Sequence, residues 1–155
     1  MQILVDADAF PNVIKDILIR AAIRFNVPLV FVSNKAVRIE RSANISSIVV
    51  PAGPDLADDH IVELAQPGDL VVTADIPLAD RVVAKGAFAI NPRGKLYTED
   101  NIKDLLAMRN LMNELRGNGM ITGGPPAFSR KDRQAFANQL NSFLIRHCKT
   151  ENCKK

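Results

Sequence analysis

The residues best suited to chemistry in this chain of 155 residues are aspartates. Asp6 and Asp8 directly follow the apolar run Ile3–Val5, Asp58 and Asp59 open a segment with helical spacing, and Asp75 follows the run Leu70–Thr73. Two carboxylates about 4 Å apart repel by about 4 kcal/mol at an effective dielectric near 20, so a convergence of such groups requires a cation, a shared proton or a compensating base. Hard divalent cations take oxygen ligands and keep waters that can attack phosphate, which makes Mg²⁺ or Mn²⁺ the expected cofactor and leaves no task for an organic one. On this reading Asp6, Asp58 and Asp75 hold the metal, and Asp8 or Asp59 orients the attacking water as general base. Thr73 bonds a liganding Asp from behind, with Asn12 and Asn34 as further supporting groups, and Lys35, Arg38, Arg41 and Arg93 meet backbone phosphates.

Each aspartate also has a plainer explanation. Asp8 and Asp59 suit helix N-caps or first-turn acids favoured by the helix dipole. Asp6 and Asp75 end apolar runs and have no evident capping task, so they carry most of the functional expectation. Asp55, Asp69 and Asp80 fit turns or helix surfaces, and His60 fits an exposed helix position. His147, Cys148 and Cys153 match no zinc spacing, and the two thiols lie too close to the C-terminus to tie the fold together.

These side chains depend on the elements that carry them. Ile3–Val5 reads as a strand that stops at Asp6, and Ile14, Ile17, Leu18, Ala21, Ala22 and Phe25 then recur at helical spacing behind Pro11. Further strands are expected at Leu29–Val32, Ile48–Val50, Leu70–Thr73 and Ala87–Ile90. Between them lie a helix carrying Ile61, Val62, Leu64 and Ala65, and a helix starting at Pro77 with Gly86 at its end. Asn91-Pro92-Arg93-Gly94 reads as a turn, Thr98 caps a long helix through Leu115 to Gly117, and Ser129 caps a last helix with Phe136, Leu140, Phe143 and Leu144 on one side. Short apolar strands alternating with amphipathic helices imply a three-layer α/β domain with a five-stranded, mainly parallel sheet and a C-terminal helical hairpin. In such a sheet ligands bind beyond the carboxyl ends of the strands where the order reverses, which is where Asp6 and Asp75 would meet if their strands are neighbours.

Composition agrees with one domain: 47% of residues are hydrophobic and 24% charged, enough apolar material for a single core. Residues 1–147 form that domain, with 98–147 as helices packed on it and 148–155 as a basic tail expected to be disordered. No apolar run is long enough for a membrane helix and the N-terminus carries no secretory pattern, so a cytoplasmic protein without a membrane partner is expected. Net charge is +3, distributed unevenly: Arg130–Lys155 holds seven Lys/Arg against Asp132 and Glu151, or +5, which leaves −2 for the rest. This basic segment suits a nucleic-acid partner, single-stranded RNA being the expected one.

Asp6-Ala7-Asp8 with Val71–Thr73 resembles the nucleophile and threonine motifs of haloacid dehalogenase-like phosphatases, but there the acidic pair follows the threonine, whereas Asp58-Asp59 precede it. Asp6 on a strand, Asp58-x-x-Ile61-Val62 on a helix and Thr73-x-Asp75-x-x-Leu78 resemble the PIN-like nuclease superfamily. More specifically, the chain is similar to the YaiI/YqxD family of uncharacterised bacterial proteins. The resemblance runs through Val5-Asp6-Ala7-Asp8-Ala9, Pro11-Asn12-Val13-Ile14-Lys15, Pro51-Ala52-Gly53, Gly68-Asp69-Leu70-Val71-Val72-Thr73-Ala74-Asp75-Ile76-Pro77-Leu78-Ala79, Asn91-Pro92-Arg93-Gly94 and Thr122-Gly123-Gly124-Pro125. It implies a PIN-like fold and a metal-dependent nuclease, a hydrolase of RNA, with no substrate established. The family usually has Cys where this chain has Phe10, which excludes a thiol mechanism at that loop. The alternatives are a non-catalytic RNA or nucleotide binding module and, more weakly, a haloacid dehalogenase-like small-molecule phosphatase.

Overall fold

The computed structural model describes residues 2–7, 12–34, 44–51, 56–117 and 129–148. In chain order the elements are β1 (Ile3–Asp6), α1 (Asn12–Phe25), β2 (Leu29–Ser33), β3 (Ile45–Val49), α2 (Leu56–Leu64), β4 (Leu70–Val72), α3 (Ile76–Ala84), β5 (Phe88–Ile90), β6 (Leu96–Tyr97), α4 (Glu99–Gly117) and α5 (Arg130–Cys148). The strands form one sheet in the order β3-β2-β1-β4-β5-β6, parallel except for β6. β1 pairs with β2 through Val5↔Phe31 and with β4 through Val5↔Val72, so the order reverses between β1 and β4.

The sheet has two covered faces because its central strands are apolar on both sides. Ile3, Val5, Leu29, Phe31, Leu70 and Val72 join a core with Ile14 and Leu18 of α1 and Phe136, Leu140, Phe143 and Leu144 of α5. Leu4, Val32, Val71 and Ala89 face the other way, against Ile61 of α2, Leu78, Val82 and Val83 of α3 and Ile102 of α4. Each fully buried Leu, Ile or Phe contributes about 1.5–3 kcal/mol, so the continuous apolar strands are explained by burial alone.

The expected C-terminal helical hairpin is corrected, since α4 packs through Ile102 on the face with α2 and α3 whereas α5 packs with α1 on the other, and so are two strand expectations. The sheet has six strands rather than five, because the chain turns at Asn91–Lys95 and returns as β6, antiparallel to β5. Two residues are too few to show a period of two. β3 begins three residues earlier than expected, at Ile45, with Ser46 and Ser47 exposed. It is an edge strand held by pairing to β2 and needs little apolar character.

Local chemistry sets the element ends. Ser129 and Asp132 cap α5 reciprocally: the Asp132 N–H donates to Ser129 Oγ at 3.2 Å, and the Ser129 N–H donates to Asp132 Oδ2 at 3.0 Å. Thr98 and Asn101 do the same at α4. Gly94 has φ +95°, and a Cβ there would stand 2.7 Å from the carbonyl carbon of Ala135, so the β5–β6 turn rests directly on the α5 backbone. His147 packs over Phe143 with ring centroids 4.1 Å apart, which gives that residue a packing role.

Candidate functional site

Parallel βα units place helix N-termini at the carboxyl ends of the strands, where their unpaired N–H groups and positive dipole ends gather. The buried polar side chains gather there too. Among the described residues they are Asp6, Ser33, Asp69 and Thr73; Asp6 and Ser33 end β1 and β2, and Thr73 directly follows the adjacent β4. Asp6 is 4% exposed and Thr73 0%. Thr73 Oγ1 donates to Asp6 Oδ2 at 3.1 Å and accepts the Asp75 N–H at 3.0 Å. A hydroxyl therefore links the end of β1 to the start of α3. Asp6 also makes an interaction beyond this bond.

Asp75 does have a capping task, contrary to the sequence expectation. It is the N-cap of α3, and its Oδ1 accepts the Leu78 N–H at 3.4 Å. The bond is long and uses one oxygen, so the other remains available for a ligand. Pro77 hides this cap from a sequence reading, because it suggests a helix start at itself, whereas α3 begins at Ile76.

The remaining candidates divide. Asp58 lies half-buried in the first turn of α2. Asp59 turns toward α3 and pairs with Arg81 at 3.0 Å, with both side chains about half exposed. Such a pair adds at most about 1 kcal/mol, yet it occupies the carboxylate expected to orient water. Arg93 ion-pairs with Asp132 of α5, and its N–H donates to Asn91 Oδ1 at 2.8 Å; it fastens the β5–β6 turn to α5, which explains this Arg without phosphate. Asn34 directly follows β2 and is exposed. Asp8, Lys35, Arg38 and Arg41 lie outside the described residues, as does the side chain of Asn12.

The sequence reading missed Tyr97 and Ser33. Tyr97 is 3% exposed, with the Asn91 side chain beside its phenol. Burial raises its pKa, with the Asp75 carboxylate adding to the rise, which places the phenol in the electrostatic reach of the Asp75 end of the site. The signal available in the sequence was Asn91 six residues before Tyr97 across a turn. Ser33, 1% exposed, ends β2 beside the β1 terminus. Asp69, by contrast, is structural: it accepts from Gln2 Nε2 at 3.0 Å and from the Gln66 N–H at 3.0 Å, closing the α2–β4 turn.

Among the described residues no three His, Cys, Asp or Glu side chains form a group able to cage a metal ion. Asp6 and Asp75 nevertheless offer hard oxygen donors at adjacent strand ends, and Mg²⁺ is commonly held by one or two carboxylates, with water and substrate phosphate completing its shell. The donor chemistry suits that open kind of site.

The family model described as "Uncharacterized BCR, YaiI/YqxD family" matches residues 4–146. A UPF0178 protein of Maridesulfovibrio salexigens is 58% identical over 146 residues, covering 94% of this chain and 97% of the relative. One from Photobacterium profundum is 54% identical over 149 residues, covering 96% and 99%, and one from Bordetella avium is 57% identical over 146, covering 94% and 95%. No solved structure gives a significant match. No described helix is long and apolar enough to cross a membrane.

Proposed function

The chain belongs to the YaiI/YqxD family, and from its strand-end site we propose that it is a PIN-like, Mg²⁺- or Mn²⁺-dependent phosphodiesterase acting on single-stranded RNA. The observation that carries this reading is the buried Asp6 carboxylate at the strand-order reversal, held by Thr73, whose hydroxyl also accepts the Asp75 N–H. A carboxylate at this edge is a hard oxygen donor where ligands of a parallel sheet bind.

In this proposal Asp6, Asp58 and Asp75 hold the cation. When bound, it supplies Lewis acidity toward a phosphate oxygen and a nucleophile derived from water. The chain's own residues do the rest. Thr73 keeps the Asp6 carboxylate in one orientation, and the positive dipole ends of α2 and α3 favour the substrate's negative charge. Because Arg81 engages Asp59, the base role falls to Asp8. Burial removes Tyr97 from any base-stacking role and leaves its phenol to a hydrogen-bonding one.

Labelled single-stranded RNA incubated with the protein and Mn²⁺ tests the proposal. Asp75→Asn is the informative variant, since Asn caps a helix as well as Asp and keeps α3 in place, whereas Asp75→Ala loses about 1 kcal/mol. Turnover should fall at least about a hundredfold in Asp75→Asn, a loss typical of removing one charged stabilising group, without a change in melting temperature. Wild-type turnover retained by that variant, or absent from the wild type with either metal, overturns the reading. The capping bond also favours a second reading, a non-catalytic RNA or nucleotide binding module, because it accounts for Asp75 without chemistry. That module retains RNA and releases no product.

A further inference from the structure

The two helical layers carry opposite charge. On one face, α1 holds three Lys/Arg against one Asp and α5 four against one, a combined +5. On the other face, α2 is −3, α3 neutral and α4 −1, a combined −4. The net +3 of the chain conceals this separation. A protein of modest net charge thus presents one strongly electropositive side, and fields of this kind gather and orient anionic ligands.

The basic side contains a built recess. Between α1 and α5 lies a cavity of about 190 Å³, lined by Ile17, Arg20, Ala21, Arg24, Ala137 and Asn141. Arg20 and Arg24 are exposed and stand one helical turn apart. Like charges at that spacing weaken a helix slightly, and among the described residues no carboxylate lies within ion-pair distance of either. Asp16, one turn before Arg20, makes no ion pair with it. Arg24 lies over the Phe25 ring at 5.4 Å, a contact to the guanidinium face. Ala21 and Ala137 line the recess with small side chains, and Asn141 adds an amide. Arg133, exposed one turn before Ala137 on α5 and, among the described residues, paired with no carboxylate, extends the basic row.

We propose that the α1–α5 groove binds successive phosphates of a nucleic-acid backbone, with Arg20, Arg24 and Asn141 as its contacts. It is an anchoring site on the face opposite Asp6 and Thr73, and it takes the identity of its ligand from the phosphodiesterase reading above. Spaced guanidiniums beside a recess suit a repeating anion recognised by charge. An apolar peptide would look for aromatic anchors, and the chain has no Trp while its one Tyr is buried.

Fluorescence anisotropy with a labelled oligouridylate, in EDTA so that no cleavage intervenes, reads the groove directly. Each phosphate contact on a single strand contributes a slope of about 0.7 in log affinity against log salt, so Arg20→Gln/Arg24→Gln should flatten the slope by about 1.4 and weaken binding about 25-fold at about 0.1 M salt relative to 1 M. Arg20→Lys/Arg24→Lys should restore the slope while recovering only part of the affinity. Lys103→Gln/Arg109→Gln removes the same charge from α4 and should leave binding unchanged. Equal weakening by this control pair, or an unchanged slope in the Gln pair, overturns the groove. Polyglutamate competing as well as unlabelled RNA assigns the surface to an acidic protein and overturns the nucleic-acid class. Wild-type protein that binds RNA through the groove in EDTA but releases no product with Mn²⁺ refutes the phosphodiesterase and spares the groove.

Discussion

Removing the Thr73 hydroxyl is the sharpest perturbation of the site. Thr73→Val preserves shape and burial but deletes both the donor to Asp6 and the acceptor of the Asp75 N–H. A neutral hydrogen bond is worth about 1 kcal/mol and one to a charged group about 2, and both lost partners sit where water enters poorly, so the cost should be about 3 kcal/mol. For a chain of this length that lowers the melting temperature by about 6–12 °C. Thr73→Ser keeps the hydroxyl and loses one buried methyl, costing about 1 kcal/mol, or about 2–4 °C. Urea unfolding of wild type, both variants, Asp6→Asn and the Thr73→Val/Asp6→Asn double variant supplies the free energies and a coupling term. The bond predicts a coupling of at least about 0.5 kcal/mol. Thr73→Val matching or exceeding Thr73→Ser in stability, or additivity in the double variant, would refute the linking role of the hydroxyl.

Two further outcomes are expected. Gly94→Ala places a methyl group against the Ala135 carbonyl at a positive φ, so the β5–β6 turn must lift from α5; denaturant melts should show a loss above about 2 kcal/mol, with Arg93→Ala, which removes only the tie to Asp132, costing less. Tyr97 is the single tyrosine in a chain without tryptophan, so near-ultraviolet phenolate absorbance reports it alone. Burial holds its folded pKa above the usual value, so the stability it contributes is complete below about pH 10 and is lost as pH rises through the folded value. One absorbance transition above about pH 10 should appear in the native protein and return to about 10 in guanidinium, and Asp75→Asn should bring the native transition down.

Much of the architecture was legible because burial on two faces writes continuous apolar runs into β1, β2 and β4, while α1, α3 and α5 show their inward stripes at helical spacing. The caps Thr98 and Ser129 were legible because each bonds a residue three positions away. Pairing was less so. β3 is held from one side and β6 is two residues long, so neither has a pattern to read.

The sequence by itself determined which aspartates end strands and open helices, since chain order alone puts Asp6 at the end of β1 and Asp75 after β4. Only the tertiary structure decided what each one touches. Side-chain partners depend on which strands are neighbours and which helix face turns inward, and neither is encoded locally. The β1–β4 pairing brings Thr73 to Asp6 across sixty-seven positions, the packing of α2 on α3 gives Asp59 to Arg81, and the docking of α5 on the β5–β6 turn takes Arg93 for Asp132. The segregation of charge between layers is likewise a property of the assembled fold, because α1 and α5, at opposite ends of the chain, become one surface only when both cover the same face of the sheet.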